Sequence, residues 1–334
     1  MTCSSIPCLC LALVLVAGCT TYDPLYCDEN QRCTDPERSF CDLTGEFAAS
    51  EGVARTCIPD PNASSAPDAG GPDAAADAGH RGADASVFTY PEPQAYWAFD
   101  QEDISGSVLV ARQGGVTGAL AGPIPDTAGV VADALAFAGG PDHVDFGNVL
   151  DSVLAGPDRK FAISVWIRPA AVSGEQTILV KAGASSCSPP EENRELHLLL
   201  VEGVPGFRFW TPDNDHARFL EAATPLVLDT WQHLLWTYDG EVDVGPVERV
   251  RLYVDGVPQP LTVSASLDTF PYDIQPTDAH LALANIIGAS GARCGDQQLV
   301  GALDELAVWS TVLGAKDAAE VHERGAAALP LWPH

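Results

Sequence analysis

Phe161-Ala162-Ile163-Ser164-Val165-Trp166-Ile167 is an apolar run whose larger side chains fall at the odd positions until Trp166 interrupts the alternation. A period of two marks a strand, because successive side chains point to opposite faces. Similar short runs flank it on both sides. Upstream are Tyr96-Trp97-Ala98-Phe99-Asp100, then Ala134 to Ala138 and Val144 to Phe146, the last two split by Gly139-Gly140-Pro141-Asp142. Downstream are Thr177 to Lys181, Leu196 to Val201, Phe207 to Trp210, Trp231 to Tyr238, Arg249 to Val254, Leu281 to Ile287 and Gly301 to Trp309. Val254-Asp255-Gly256-Val257 predicts a hairpin, since Asp-Gly tolerates positive φ at both central positions. Only Ala315 to Arg324 reads as a helix, with Gly325 as its C-cap. Many short strands with turn residues between them predict an all-β fold, two antiparallel sheets packed as a sandwich, over residues 87–334.

The whole chain has 334 residues, 17 Lys plus Arg, 46 Asp plus Glu and a net charge of -29. That balance excludes nucleic acid as a partner, because a binder must neutralise phosphates with Lys and Arg. It equally excludes electrostatic docking on anionic lipid. The 10 cysteines point to export into an oxidising compartment.

Leu9 to Ala17 is apolar but too short to span a bilayer, which needs ~20 residues, and reads as the core of a signal peptide. The following Val16-Ala17-Gly18-Cys19 resembles the lipobox of bacterial lipoproteins, in which the Cys becomes the lipid-bearing N-terminus. Residues 1–18 are therefore expected to be a signal peptide and Cys19 the lipidation site, although Met1 to Cys8 has none of the usual Lys or Arg. Thr20 in place of Asp would permit an outer-membrane address, by analogy with enterobacteria. The expected location is the cell envelope, facing the surface or the periplasm.

Residues 19–60 hold Cys27, Cys33, Cys41 and Cys57 in a polar segment that can bury little surface. Disulfides are expected to hold it, in any of three pairings; a zinc site is disfavoured by the spacing. Residues 61–86 follow, with 23 of 26 positions Ala, Asp, Gly, Pro or Ser, and read as a flexible linker.

Four ordered segments carry a resemblance. They are Ala95-Tyr96-Trp97-Ala98-Phe99-Asp100; Ala134-Leu135-Ala136-Phe137 leading to His143-Val144-Asp145-Phe146-Gly147; Phe161 to Pro169 with Trp231-Gln232-His233 and Leu252-Tyr253-Val254-Asp255-Gly256; and Gly301-Ala302-Leu303-Asp304-Glu305-Leu306-Ala307-Val308-Trp309 with Leu313, Asp317 and Glu320. Together they resemble the laminin G-like, concanavalin A-like jellyroll of bacterial surface proteins, over roughly residues 93 to 326. The resemblance implies binding of glycans or proteins more often than catalysis, often beside a structural calcium. In the family pattern the two ends of the chain lie side by side, which makes Asp100 and Asp304 the expected calcium pair, with carbonyls near Gly118 completing the shell. The alternative is local hydrogen bonding by Asp304 and a solvated Asp100. Glu305 is expected to be structural or exposed.

Cys187 and Cys294 are the cysteines within the jellyroll, and their pairing would clip two loops at one end of it. Such a bridge would contribute ~4 kcal/mol in the loop-entropy account. Trp210, Asp213 and Tyr272 are the candidate ligand-binding residues: aromatic platforms beside polar groups. Glu241-Val242-Asp243-Val244 looks like the start of a glucanase carboxylate strand, but Gly245-Pro246 and the displaced Glu248 make it a loop. No nucleophile elbow, zinc-protease motif or phosphate loop occurs. The expected function is non-enzymatic glycan binding at the cell surface. The alternative is protein-binding adhesion or a structural envelope role, and a diverged glycan hydrolase or lyase comes third.

Overall fold

The structure is a computed structural model, and it describes residues 40–42, 56–58, 88–122, 124, 126–183, 194–210, 217–242, 246–266, 273–288, 293–294 and 296–332. Cys19, Cys27, Cys33, Cys187, Asp213 and Tyr272 lie outside the described residues, as does the 61–86 segment. The chain divides into two units, Met1–Ala78 and Gly79–His334. In the first, Phe40–Asp42 pairs antiparallel with Thr56–Ile58, and the register sets Cys41 opposite Cys57.

The second unit is the expected sandwich. One sheet has eight strands, in the order Val257–Gln259, Val250–Val254, Gln232–Asp239, Lys160–Pro169, Val300–Trp309, Asp133–Ala138, Asp126–Ala128, with Ala95–Trp97 also on Val300–Trp309. The other has ten: Leu261–Ser266, Ala217–Ala222, Val204–Trp210, Arg194–Val201, Glu175–Ala182, Leu281–Leu283, His143–Asp145, Thr117–Ala121, Val108–Val110 and Ile104–Ser105. Neighbouring strands are antiparallel throughout, so each can present one face to the core. The Asp-Gly hairpin forms with Asp255 at φ 52° and Gly256 at φ 76°, as its sequence requires.

Between the sheets lies a core that includes Phe161, Ile163, Val165 and Ile167 from one sheet and Leu196, Leu198, Phe207 and Phe209 from the other. A second layer covers the outer face of the eight-stranded sheet: Tyr96, Ala162, Leu235, Tyr253 and Trp309 pack under Ala315, Ala318 and Val321 of the C-terminal helix Ala315–Ala326. This explains Trp166. It breaks the alternation because its strand is buried on both faces, and it sits under that helix. The helix continues through Gly325 rather than being capped by it, and Ala327 is the C-cap. Gly325 is required for another reason: a Cβ there would lie 2.6 Å from Cε2 of Trp166. The strand expected to run from Leu281 to Ile287 stops at Leu283, where Ala284 turns to φ 65°.

Candidate functional site

Trp210, from the expected ligand set, is almost fully buried. The Arg194 guanidinium lies 5.3 Å over its ring and Phe219 meets it edge-on at 6.1 Å. On the same strand, Arg208 grips both oxygens of Glu175, two strands over, and stacks 4.6 Å over Phe219. This row of alternating arginine and aromatic side chains is packed on itself, so Trp210 presents an edge rather than an open platform.

Asp100 and Asp304 are both buried, and both hold the loop entering strand Asp133–Ala138. Asp100 Oδ1 accepts from the Asp133 N–H at 2.9 Å. Asp304 Oδ2 accepts from the N–H groups of Val130 and Val131 at 2.7 and 3.1 Å. They differ in their charge partners. Asp100 Oδ2 is 2.6 Å from Arg112, whose guanidinium also meets Glu102 and Asp103. Asp304 has no such cation, its Oδ1 is buried without a hydrogen-bond partner, and burial pushes its carboxyl up to about 8. As placed, the pair does not fit a shared calcium, because a guanidinium already occupies the Asp100 corner. Among the described residues no group of three or more His, Cys, Asp and Glu gathers in metal-holding geometry. Glu305 is structural: it accepts from the Tyr96 hydroxyl at 2.9 Å and the Leu331 N–H at 2.7 Å, and burial raises it to about 7.

A hollow that sequence reasoning did not single out lies at one end of the central strands of the eight-stranded sheet. It has a volume of about 300 Å³ and is lined by Ala136, Phe137, Arg168, Ala170, Asp229, Gly301 and Ala302. Small residues on the central strands leave the space open. Gly301 is needed beside it, since a Cβ there would lie 2.5 Å from the Arg168 carbonyl oxygen. The register pairs Ile167 with Gln232, which brings the next residue of each strand end, Arg168 and Trp231, together. The Arg168 guanidinium lies 5.1 Å over the half-buried Trp231 ring. It also donates to Thr127 Oγ1 at 3.3 Å and makes no ion pair among the described residues. By contrast, Arg112, Arg208 and Arg249 all meet carboxylates.

Asp229 is exposed and held in the left-handed region at φ 56°, with its N–H donating to the Pro169 carbonyl at 2.8 Å. A non-glycine residue in that region carries strain that clusters at ligand sites. Val227 and Leu228, on the same loop, are 59% and 42% exposed. The hollow thus holds a guanidinium with spare donors and a carboxylate, groups that can bond hydroxyls in both senses. The signal was present in the sequence as Arg168-Pro169 and Trp231-Gln232-His233, but there it served only the resemblance.

Pairs that resemble catalytic machinery lie inside the protein. Ser164 Oγ is 2.7 Å from His233 Nε2, yet both residues are fully buried and His233 Nδ1 has no partner to orient it. Burial pushes His233 and His197 down to about 3, so both are neutral. Glu241 lies in a turn, ion-paired to Lys160 at 2.7 Å. Lys181 is fully buried against Asp151 at 2.6 Å and Glu195 at 3.4 Å. Burial raises the Glu195 carboxyl to about 7. Cys294 is disulfide-bonded. Among the described residues no helix is long and apolar enough to cross a membrane.

The family model described as Concanavalin A-like lectin/glucanases superfamily matches residues 138–319. Domain 4 of AbnA, a GH43 extracellular arabinanase from Geobacillus stearothermophilus in complex with arabinotriose, is similar at 18% identity and a TM-score of 0.46, over 69% of this chain and 97% of that one. The botulinum neurotoxin serotype G binding domain is similar at 12% identity and a TM-score of 0.49, over 70% of this chain. The binding domain of Paraclostridial Mosquitocidal Protein 1 gives 10% identity and a TM-score of 0.48, over 68% of this chain. The match spans about half of each toxin domain, 51% in both cases. No curated protein sequence matches.

Proposed function

The chain belongs to the Concanavalin A-like lectin/glucanases superfamily, and from that premise we propose that it binds a glycan without transforming it. The observation that carries this reading is the hollow in which Arg168, stacked on Trp231, faces the same space as Asp229. Sugar recognition needs an apolar face for the ring C–H surface and polar groups that bond hydroxyls in both senses. Arg168 supplies donors, Asp229 an acceptor and the Ala136, Ala170 and Ala302 side chains apolar surface, while Trp231 holds the Arg168 guanidinium in place.

The non-catalytic part of the proposal is supported by where the acids sit. A glycoside hydrolase needs two carboxylates about 5–10 Å apart across an open cleft. The hollow has one, Asp229, among its lining residues. The buried acids with raised values, Asp304, Glu305 and Glu195, each hold backbone or side-chain hydrogens of neighbouring loops.

We extend the proposal to location: a lipid anchor at Cys19 in the cell envelope, supported by the Leu9 to Ala17 run and Val16-Ala17-Gly18-Cys19. The Cys187–Cys294 bridge belongs to the same proposal, supported by Cys294 being disulfide-bonded. The binding claim is tested by probing a glycan array with the full chain and with its Arg168→Met variant. Binding lost in the variant supports the reading. Binding to immobilised proteins with no glycan signal would favour protein adhesion instead, and release of reducing sugar ends would make the protein an enzyme.

A further inference from the structure

Resting on that reading of the hollow, we infer that its ligand is a neutral glycan and that uronate-bearing or sulfated polysaccharides are excluded. Two observations, one local and one global, lead there. Locally, Arg168 is the one basic residue lining the hollow, and Asp229 lines it too, so the formal charge of the wall is balanced. A carboxylate or sulfate placed against Arg168 would meet Asp229 in the same space. The interaction gained at one wall would be opposed at the other, because the ligand's anion and the Asp229 carboxylate repel each other.

Globally, the chain carries a net charge of -29. Such a field lowers the local concentration of any polyanion before contact is made. A polymer with a charge on each sugar would need several Lys or Arg along its path, and 17 are spread over 334 residues. A neutral sugar meets none of these penalties. Its hydroxyls can accept from the spare Arg168 N–H groups and donate to Asp229, so both side chains gain bonds from one ligand.

The test compares oligosaccharides of identical linkage that differ in the C6 substituent, a hydroxymethyl against a carboxylate, by titration calorimetry on the full chain. The expected result is at least tenfold weaker binding of the uronate. Asp229→Asn removes the opposing charge while keeping a side chain that tolerates the left-handed backbone. In that variant the preference for the neutral sugar should shrink to within about threefold. Added salt should leave binding of the neutral sugar unchanged, as no counterions are released. Uronate binding as tight as the neutral sugar, or a preference untouched by Asp229→Asn, overturns this inference while leaving the glycan reading in place. Failure of both sugar classes to bind across the panel overturns both.

Discussion

The guanidinium of Arg168 lies 5.1 Å from the centre of the Trp231 ring, at the end of the register that pairs Lys160–Pro169 with Gln232–Asp239. The pairing sets Arg168 on one strand and Trp231 one residue before the next, while Asp229 comes from the turn that leads into Trp231. Cation–π contacts of this kind contribute about 0.5–1 kcal/mol when exposed. That energy orients Arg168 before any ligand arrives.

Trp231→Ala should therefore weaken glycan binding several-fold, through loss of the pose it gives Arg168. Titration calorimetry reads the affinity. The melting temperature should move by about 2 °C or less, because Trp231 is outside both main core clusters. A collapse in stability with unchanged affinity of the remaining folded protein would place Trp231 among structural residues.

Arg112→Met should destabilise the protein by about 3 kcal/mol. It would leave Asp100 and Asp103, with side chains 9% and 12% exposed, as largely buried charges without the cation that faces them. Chemical denaturation measures the loss. Chelation with EDTA should leave the melting temperature of the unmodified protein unchanged, since a bound ion would have to stabilise the folded state. A fall on chelation, restored by calcium, would show that Asp304 Oδ1 has a metal partner after all.

Acidity gives an independent check on Asp304. Its folded value of about 8 lies far above the ordinary 3.8 because of burial. The folded state therefore holds a proton that the unfolded state releases, and stability is lost as pH rises through that value. Glu305 and Glu195 act in the same sense, at about 7. His197 and His233, pushed down to about 3, act oppositely, but only below about 6.5. Between about pH 7 and about pH 9 the carboxyl effect stands alone. Asp304→Asn should lose about 1 kcal/mol less stability over that range than the unmodified protein. Denaturant titrations at the two ends measure it, and equal losses would mean that Asp304 is ionised throughout.

Gly325→Ala should cost about 1–3 kcal/mol, because the added methyl runs into the Trp166 indole and must push the C-terminal helix outward. Hydrogen exchange of the Ala315–Ala326 amides should quicken with it. Unchanged protection would mean that the helix packs on Trp166 with room to spare.

Much of the fold was legible because sheets write themselves as period-two runs, and because Asp255-Gly256 has one comfortable backbone shape. Trp166 and Gly325 were read less well for a shared reason. A strand covered by a helix on its outer face loses its alternation, and a glycine selected for close approach looks like a cap. Trp210 illustrates the limit for sites, since an aromatic next to polar residues reads the same whether its ring is open or packed under Arg194. Asp100 and Asp304, expected as a calcium pair, both hold the loop leading to Asp133. The claim of Arg112 on Asp100 depends on side-chain reach across 12 positions, which composition and period do not encode. The hollow between Arg168 and Asp229 needed the strand register before its parts, far apart in sequence, could be seen as one place.

The most direct test is an amide and indole NMR titration of the full chain with the tightest-binding neutral oligosaccharide of the panel, the Trp231 indole resonance being assigned by its loss in Trp231→Phe. The account predicts a saturable shift of the Trp231 indole N–H, with those of the buried Trp97, Trp236 and Trp309 unmoved. A ligand that binds while Trp231 stays still and another region shifts would contradict it.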